Sequence, residues 1–488
     1  MAVSNADGTH VDLIIVGAGI SGIDAAYRLK TRCPDKSWLI LEARERIGGT
    51  WDLFRFPGVR SDSDMFTLGF PFRPWRSDLS IVDGPSIRQY VEDTARECGI
   101  INKVRFGHKA VRARWSSSDE RWTVEAEHAG KIRIFTCRFL YFASGYYDYS
   151  AGHRPSWNGE DDFRGRIVHP QFWPEDLDHS GKTVAVIGSG ATAVTLVPAL
   201  AETAAHVTMV QRTPSYIVAR PARDSIARRL QQYLPASFAD PLVRWKNVLL
   251  TMFSFWQARK RPRKFSDWIS GQLRKALPDA YPVERDFQPP YNPWDQRLCL
   301  VPDGDLFAAI RSGKLSIATG AIDRFTADGL RLSSGKAIDC DIVVTATGLN
   351  MKLLGGIELA VDGAPVRPSD LMIYKGMMLS GVPNLFIAFG YTNASWTLRS
   401  DLTARSVCRL LNRMKRDGHD VCTPRAEPSV ELRPVMDLTS GYVKRAEAML
   451  PKQGHRQPWR VPQNYVRDSA AMTFRRIDEA LEFRKAAG

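Results

Sequence analysis

Apolar runs of strand length alternate with helix-period stretches along the first half of the chain. Val11–Val16 reads Val-Asp-Leu-Ile-Ile-Val, a glycine-rich loop follows, Ile23–Lys30 has a helical pattern, and Trp38–Leu41 is apolar again. The same succession recurs at Thr183–Ile187, a second glycine loop, a helix, and Val207–Val210. Short apolar runs bounded by turn residues read as buried strands, and strands alternating with helices predict an α/β fold. Elsewhere the pattern predicts a helix over 86–98 with Ser86 as N-cap. Val104–Phe142 reads as a meander of strands around Trp115 and Trp122, and Tyr146–Tyr149 with Pro155 as a linker. Residues 215–293 lose the rhythm and look helical. Leu315–Leu332 reads as two further strands, and Asp341–Gly348 and Gly381–Gly390 as buried strands ending in glycine. Residues 401–416 form an amphipathic helix.

The two loops carry chemistry. Gly17, Gly19 and Gly22 stand directly between strand and helix, and Glu42 ends the next strand, 20 residues after Gly22. Gly17 permits the tight turn, Gly19 admits a pyrophosphate to a helix N-terminus, and Gly22 allows close helix–strand packing. Glu42 can accept hydrogen bonds from ribose hydroxyls and would repel a 2′-phosphate, which assigns this loop to FAD. Gly48, Gly49, Thr50 and Trp51 add the glycine doublet many FAD enzymes carry after that acid. In the second loop, Gly188 and Gly190 are followed by Ala193, and the second strand runs into Arg212 instead of an acid. Arginine clamps a 2′-phosphate, so this is an NADP-type site; the plainer reading of Arg212 is a surface cation. Together the loops predict two Rossmann-like dinucleotide-binding domains with a helical insertion.

Length, charge and cysteine narrow the class. A chain of 488 residues calls for two or three domains. The net charge of +14 favours anions such as the two dinucleotides, and nothing resembles a nucleic-acid-binding module. None of the seven cysteines forms a CxxC pair, which argues against a thiol-disulfide reductase and fits reduced, buried thiols in a cytosol. No metal site is expected. Met1–His10 is polar, so no signal peptide is expected, and no apolar run is long enough to span a bilayer. Residues 220–275 hold thirteen Lys and Arg against three acids, and Val248–Trp256 is very apolar. That stretch reads first as a channel cap with its apolar face in the core, and second as a peripheral membrane contact through 248–264.

Between the loops stand Phe163, Gly165, His169 and Trp173, followed by Pro174, at steps of two, four and four. This spacing, flanked by two dinucleotide loops, resembles the fingerprint of class B flavoprotein Baeyer–Villiger monooxygenases. Segments 48–55, 291–297 and 390–396 resemble the EthA-type subgroup of that family. The resemblance implies FAD and NADPH as cofactors and insertion of one atom of O2 beside a ketone carbonyl through a C4a-peroxyflavin, giving an ester or lactone. Sulfur oxygenation is implied as a side activity, so ketone or sulfide is the implied small-molecule substrate. It also implies Arg297 as the catalytic arginine, Asp62 as the acid that places it along the flavin, and Gln296 where the family has a phosphate-binding lysine. Trp459 resembles part of a loop that covers NADP. The implied division is FAD-binding 1–150 and 349–488, NADP-binding 151–214 and 294–348, and insertion 215–293. The alternatives are an N- or S-oxygenating flavin monooxygenase and a non-enzymatic flavoprotein; two chemically distinct nucleotide loops argue against the second. Oligomeric state and the particular ketone stay open.

Overall fold

The structure is a computed structural model that describes residues 9–436 and 438–485. Its first sheet is built around Thr9–Val16, whose Leu13, Ile14 and Ile15 are fully buried. Parallel neighbours on both sides, Trp38–Leu41 and Lys131–Phe142, explain why this run is continuously apolar instead of alternating. Lys131–Phe142 serves two sheets' worth of pairing. Its first part runs antiparallel to Arg121–His128, and its second part runs parallel to Thr9–Val16. One strand thereby fuses a dinucleotide-type core to the meander Lys109–Ser116 and Arg121–His128, which encloses Trp115 and Trp122. The C-terminal part of the chain returns to this sheet. Glu358–Val361 extends its meander edge and Leu385–Ile387 pairs with Leu140–Phe142. The helix Trp396–Asp417 packs across the helix Ile20–Arg32.

The second unit is a parallel sheet of five strands in the order Leu315–Thr319, His206–Gln211, Thr183–Ile187, Ile342–Thr345, Arg166–Val168. The chain passes between the units twice, and the two passages, Tyr147–Gly152 and Leu349–Met351, pair antiparallel.

Some local expectations change. The helix at 86–98 is Gly84–Glu97, and Asp83 caps it by accepting the Ser86 N–H at 2.8 Å; a carboxylate there also favours the helix dipole. Leu315–Leu332 contains three strands, because Ile322–Thr326 and Gly329–Leu332 fold back as a hairpin. The helix expected at 401–416 begins earlier, at Trp396.

The insertion holds helices Ser225–Tyr233, Ala236–Lys260, Pro262–Ala276 and Val283–Phe287. It touches both units: Ile269, Leu273 and Phe287 join the core of the second, while Val248 packs on Tyr391 and Leu398 of the first. The expectation that the apolar face of Val248–Trp256 lies in the core holds for Val248, with Met252 packed beside it, and is corrected for the rest. Leu249, Leu250, Phe253 and Trp256 are each at least half exposed. The face turned inward carries Asn247, Thr251 and Ser254, whose small or polar side chains line a cavity. No helix among the described residues is long and apolar enough to cross a membrane.

Candidate active site

The first glycine loop opens onto a cavity of about 590 Å³. Gly17 adopts φ +105°, and a Cβ there would stand 2.7 Å from the Ala143 carbonyl oxygen; Gly22 has less room still, 1.9 Å from the Gly17 oxygen. Both glycines are demanded by the packing of strand against helix. Gly19 differs. A Cβ there would meet Gly49 Cα at an ordinary 3.6 Å, and the residue is the N-cap of Ile20–Arg32 with no side-chain cap. The first-turn N–H groups therefore face the cavity without a protein side chain to receive them, as an anion site requires. Glu42, 5% exposed, lines the same cavity; its oxygens accept the Ala18 N–H at 2.6 Å and the Arg44 N–H at 2.9 Å. Those bonds fix the carboxylate while its other lone pairs stay open toward the cavity. Burial raises the Glu42 pKa. Gly49, Thr50 and Trp51 complete this end, and the set fits an adenine dinucleotide bound by pyrophosphate and ribose.

At the other end of the cavity stand Asp62 and Arg297, with Nε to Oδ2 3.4 Å. The Asp62 carboxylate holds the guanidinium well above its ordinary pKa, against the opposing effect of burial. The turn two residues before Arg297 is tied to the insertion and to the C-terminal segment: Arg259, at the end of the long helix Ala236–Lys260, pairs with the Asp295 carboxylate at 2.6 Å, and Thr439 donates its backbone N–H to the Asp295 backbone carbonyl at 2.9 Å. Burial pushes the hydroxyls of Tyr147, Tyr149 and Tyr442 up to about 12, so they stay protonated donors. Arg297 and Asp62 also border a second cavity of about 120 Å³, walled by Asn247, Thr251, Phe265, Trp268 and Asn393. One ion pair thus stands between a cofactor-sized space and a smaller one beneath the insertion.

The second loop opens toward the first cavity through Ala191, Thr192 and Thr195. Gly188 has φ +140° with the Ala346 oxygen 2.3 Å from a would-be Cβ, whereas a Cβ on Gly190 would meet nothing. Ala193 is fully buried, in the role a third glycine fills. Arg212 is exposed just beyond the strand and makes no ion pair among the described residues. A cation with no carboxylate beside an uncapped helix N-terminus fits a phosphate-bearing nucleotide. Gln296 sits half-buried in the turn Pro293–Gln296.

The fingerprint residues are not at the reacting end. Phe163 is buried and meets Phe325 edge-on; at Gly165 a Cβ would stand 2.4 Å from the Phe163 ring and 2.3 Å from the Asp341 oxygen. His169 packs so tightly on the passage strand Tyr147–Gly152 that a Cβ on Gly152 would lie 2.0 Å from its ring. Burial lowers the His169 pKa, so it is neutral near pH 7. Its neighbour Gln171 donates to the Asp148 carbonyl at 2.8 Å. This segment pins the crossing between units, and Trp173 packs at the edge of the second core. Trp459 is not brought to either cavity: it is 1% exposed and packs edge-on against Tyr374 in the first core. Sequence reasoning missed Tyr146, Tyr147 and Tyr149, read as linker, and Trp396, which lines the first cavity and donates Nε1–H to Ser21 at 2.8 Å. Three tyrosines in four positions were the available signal.

Two family descriptions match: an NAD(P)-binding Rossmann-like domain over 15–79, and flavin-binding monooxygenase-like over 69–354. The chain is 53% identical to the FAD-containing monooxygenase EthA of Mycobacterium tuberculosis over 479 residues, 98% of each chain. It is 43% identical to the probable FAD-binding monooxygenase AlmA of Acinetobacter baylyi over 476 residues, covering 97% of this chain and 95% of the relative. In fold it resembles an oxidized steroid monooxygenase bound to NADP, with TM-score 0.76, 20% identity, and 98% and 100% of the two chains covered. It equally resembles an ε-caprolactone-bound cyclohexanone monooxygenase, at 0.76, 19%, and 98% and 100%. With two uncapped, chemically distinct nucleotide loops facing one cavity and relatives matched end to end, this chain belongs to the flavin-binding monooxygenase-like family, among the FAD-containing monooxygenases of the EthA type.

Proposed function

We propose that this enzyme is an FAD- and NADPH-dependent Baeyer–Villiger monooxygenase that converts ketones to esters or lactones with O2 and oxygenates sulfur compounds as a side activity. The observation that carries this reading is the Arg297–Asp62 pair on the wall shared by the two cavities. FAD would supply the oxygen-activating chemistry when bound, with NADPH as the reductant. Gly19 and the first turn of its helix bind its pyrophosphate, and Glu42 its ribose. Arg212 takes the NADPH 2′-phosphate, with Gln296 contributing no charge. Arg297 holds a fixed positive charge where negative charge develops on oxygen during transfer. In a water-poor site such a charge is worth far more than in bulk water. Arginine stays charged at any working pH, and Asp62 orients its fork. Tyr146, Tyr147 and Tyr442 crowd around the guanidinium and help exclude water. The smaller cavity beneath Asn247, Thr251 and Trp268 would receive the ketone.

Parallel product analysis with a simple ketone and a thioether tests the reading. Ester from the ketone, with matching NADPH loss, supports it; sulfoxide alone assigns the chain to the sulfur- or nitrogen-oxygenating class. The proposed location is cytoplasmic with a peripheral membrane contact through 248–264, supported by the exposure of Leu249, Leu250, Phe253 and Trp256.

A further inference from the structure

The long helix Ala236–Lys260 carries a ridge on its outer face. Phe238, Leu242, Trp245, Leu249, Phe253 and Trp256 succeed one another at steps of four or three and are 42 to 65% exposed. That period aligns them on one side of a helix, and at 1.5 Å per residue the ridge is about 27 Å long. A contiguous exposed apolar surface of this kind marks a partner or a membrane.

Its surroundings are basic at both ends. Lys260, Arg261, Arg263 and Lys264 are exposed at the C-terminal end. At the other end, Trp245 borders a cavity of about 490 Å³ between the helices Ile20–Arg32, Ala236–Lys260 and Trp396–Asp417. Arg28, Arg32, Arg244 and Arg405 line it, with Asp240 and Asp401 as the acids in its wall. Asp401 is engaged by Arg28 at 2.5 Å and lies 3.8 Å from Arg405, and Asp240 is engaged from outside by Arg76 at 3.2 Å. Arg244 donates to the carbonyls of Phe66 and Gly69, at 2.9 and 2.8 Å, and its charge also acts on the buried carboxyls of Asp24 and Asp64 behind the wall. Arg32 makes no ion pair among the described residues. Asp24, beneath this wall, is fully buried beside Asp401, and burial raises its pKa well above the carboxylate range. The cavity therefore keeps an excess of positive charge.

We propose that this face docks on an anionic bilayer, the ridge entering the acyl boundary and the arginine-lined cavity holding a phosphate-bearing lipid headgroup. The inference rests on the peripheral-contact reading above and adds the site and the lipid chemistry. Charge favours a bilayer over a second copy of the chain, because a symmetric contact through the ridge would bring two sets of the same arginines and lysines together.

Cosedimentation of the FAD-loaded full chain with phosphatidylcholine vesicles, with and without phosphatidylglycerol, tests both levels. Expected is binding at least about tenfold tighter with phosphatidylglycerol, released by high salt. Leu249→Gln with Phe253→Gln should abolish binding while flavin content and melting temperature hold. Arg32→Ala with Arg405→Ala should remove most of the phosphatidylglycerol preference. Equal binding to both vesicle types, or an unchanged preference in the arginine variant, overturns the headgroup site and leaves the peripheral contact standing. No binding to either vesicle overturns both. A dimer in light scattering that the ridge variant converts to monomer assigns the face to a second copy and overturns the bilayer.

Discussion

Arg297 and Asp62 lie 235 positions apart in the chain, yet Nε and Oδ2 are 3.4 Å apart at the boundary of two cavities. The arginine is 32% exposed and the aspartate 28%, and both border the cavity space. An ion pair spaced this loosely leaves part of the guanidinium fork for another oxygen, while the carboxylate fixes its plane.

Arg297→Ala should therefore still consume NADPH, but uncoupled from oxygenation: ester disappears and hydrogen peroxide takes its place. Arg297→Lys keeps the charge, loses the fork and should recover little. Asp62→Ala should slow flavin reduction and oxygenation together, by less. Stopped-flow reduction followed by oxygen and ketone separates the steps. Near wild-type ester yield from Arg297→Ala would remove this residue from the chemistry.

The glycines of the first loop should fail in different ways. Gly19→Val has room for its Cβ beside Gly49, so the protein should fold but purify without flavin, its branched side chain standing where a pyrophosphate must approach. Gly22→Ala, facing the Gly17 oxygen at 1.9 Å, should lose stability itself. Overpacking of this kind costs about 1–3 kcal/mol. Flavin absorbance and a melting curve on each variant check the contrast, and a yellow Gly19→Val protein would contradict it.

Arg212→Ala should raise the Michaelis constant for NADPH much more than for NADH. A hydrogen bond to a charged group is worth about 1.5–3 kcal/mol, so the loss should exceed tenfold. Equal losses for the two cofactors would show that Arg212 does not read the 2′-phosphate.

Asp24 predicts a pH effect on stability. It is fully buried, and burial and the Asp401 carboxylate beside it raise its pKa well above the ordinary value, against the pull of Arg28. A carboxyl raised on folding binds its proton more tightly in the native state. Its contribution is complete below the unfolded value near pH 3.9 and is lost as pH rises through the folded value. Asp24→Asn cannot ionise, so its melting temperature should gain on wild type as pH increases over that range. A difference that stays constant with pH would mean Asp24 is charged throughout.

Much of this protein was legible in the chain itself. Glycine at 17, 19 and 22, an acid at Glu42 and a cation at Arg212 are local facts, because backbone approach and charge at a loop need no distant partner. The strands that carry those loops are legible for the same reason: buried parallel strands are apolar throughout. Tertiary structure alone decided the rest. It set the tyrosines of 146–149 around Arg297, since a passage between domains has no periodicity to mark what it faces. It placed Trp459 in a core and the fingerprint histidine on a crossing strand, because a motif records residue types and not what they touch. It also left much of the apolar surface of the helix Ala236–Lys260 outside, against expectation. Apolar residues recur on its outer face, its inner face mixes buried Ala239, Val243, Val248 and Ala258 with Asn247, Thr251 and Ser254, and only the packing and the cavity beneath show which face had to be inside.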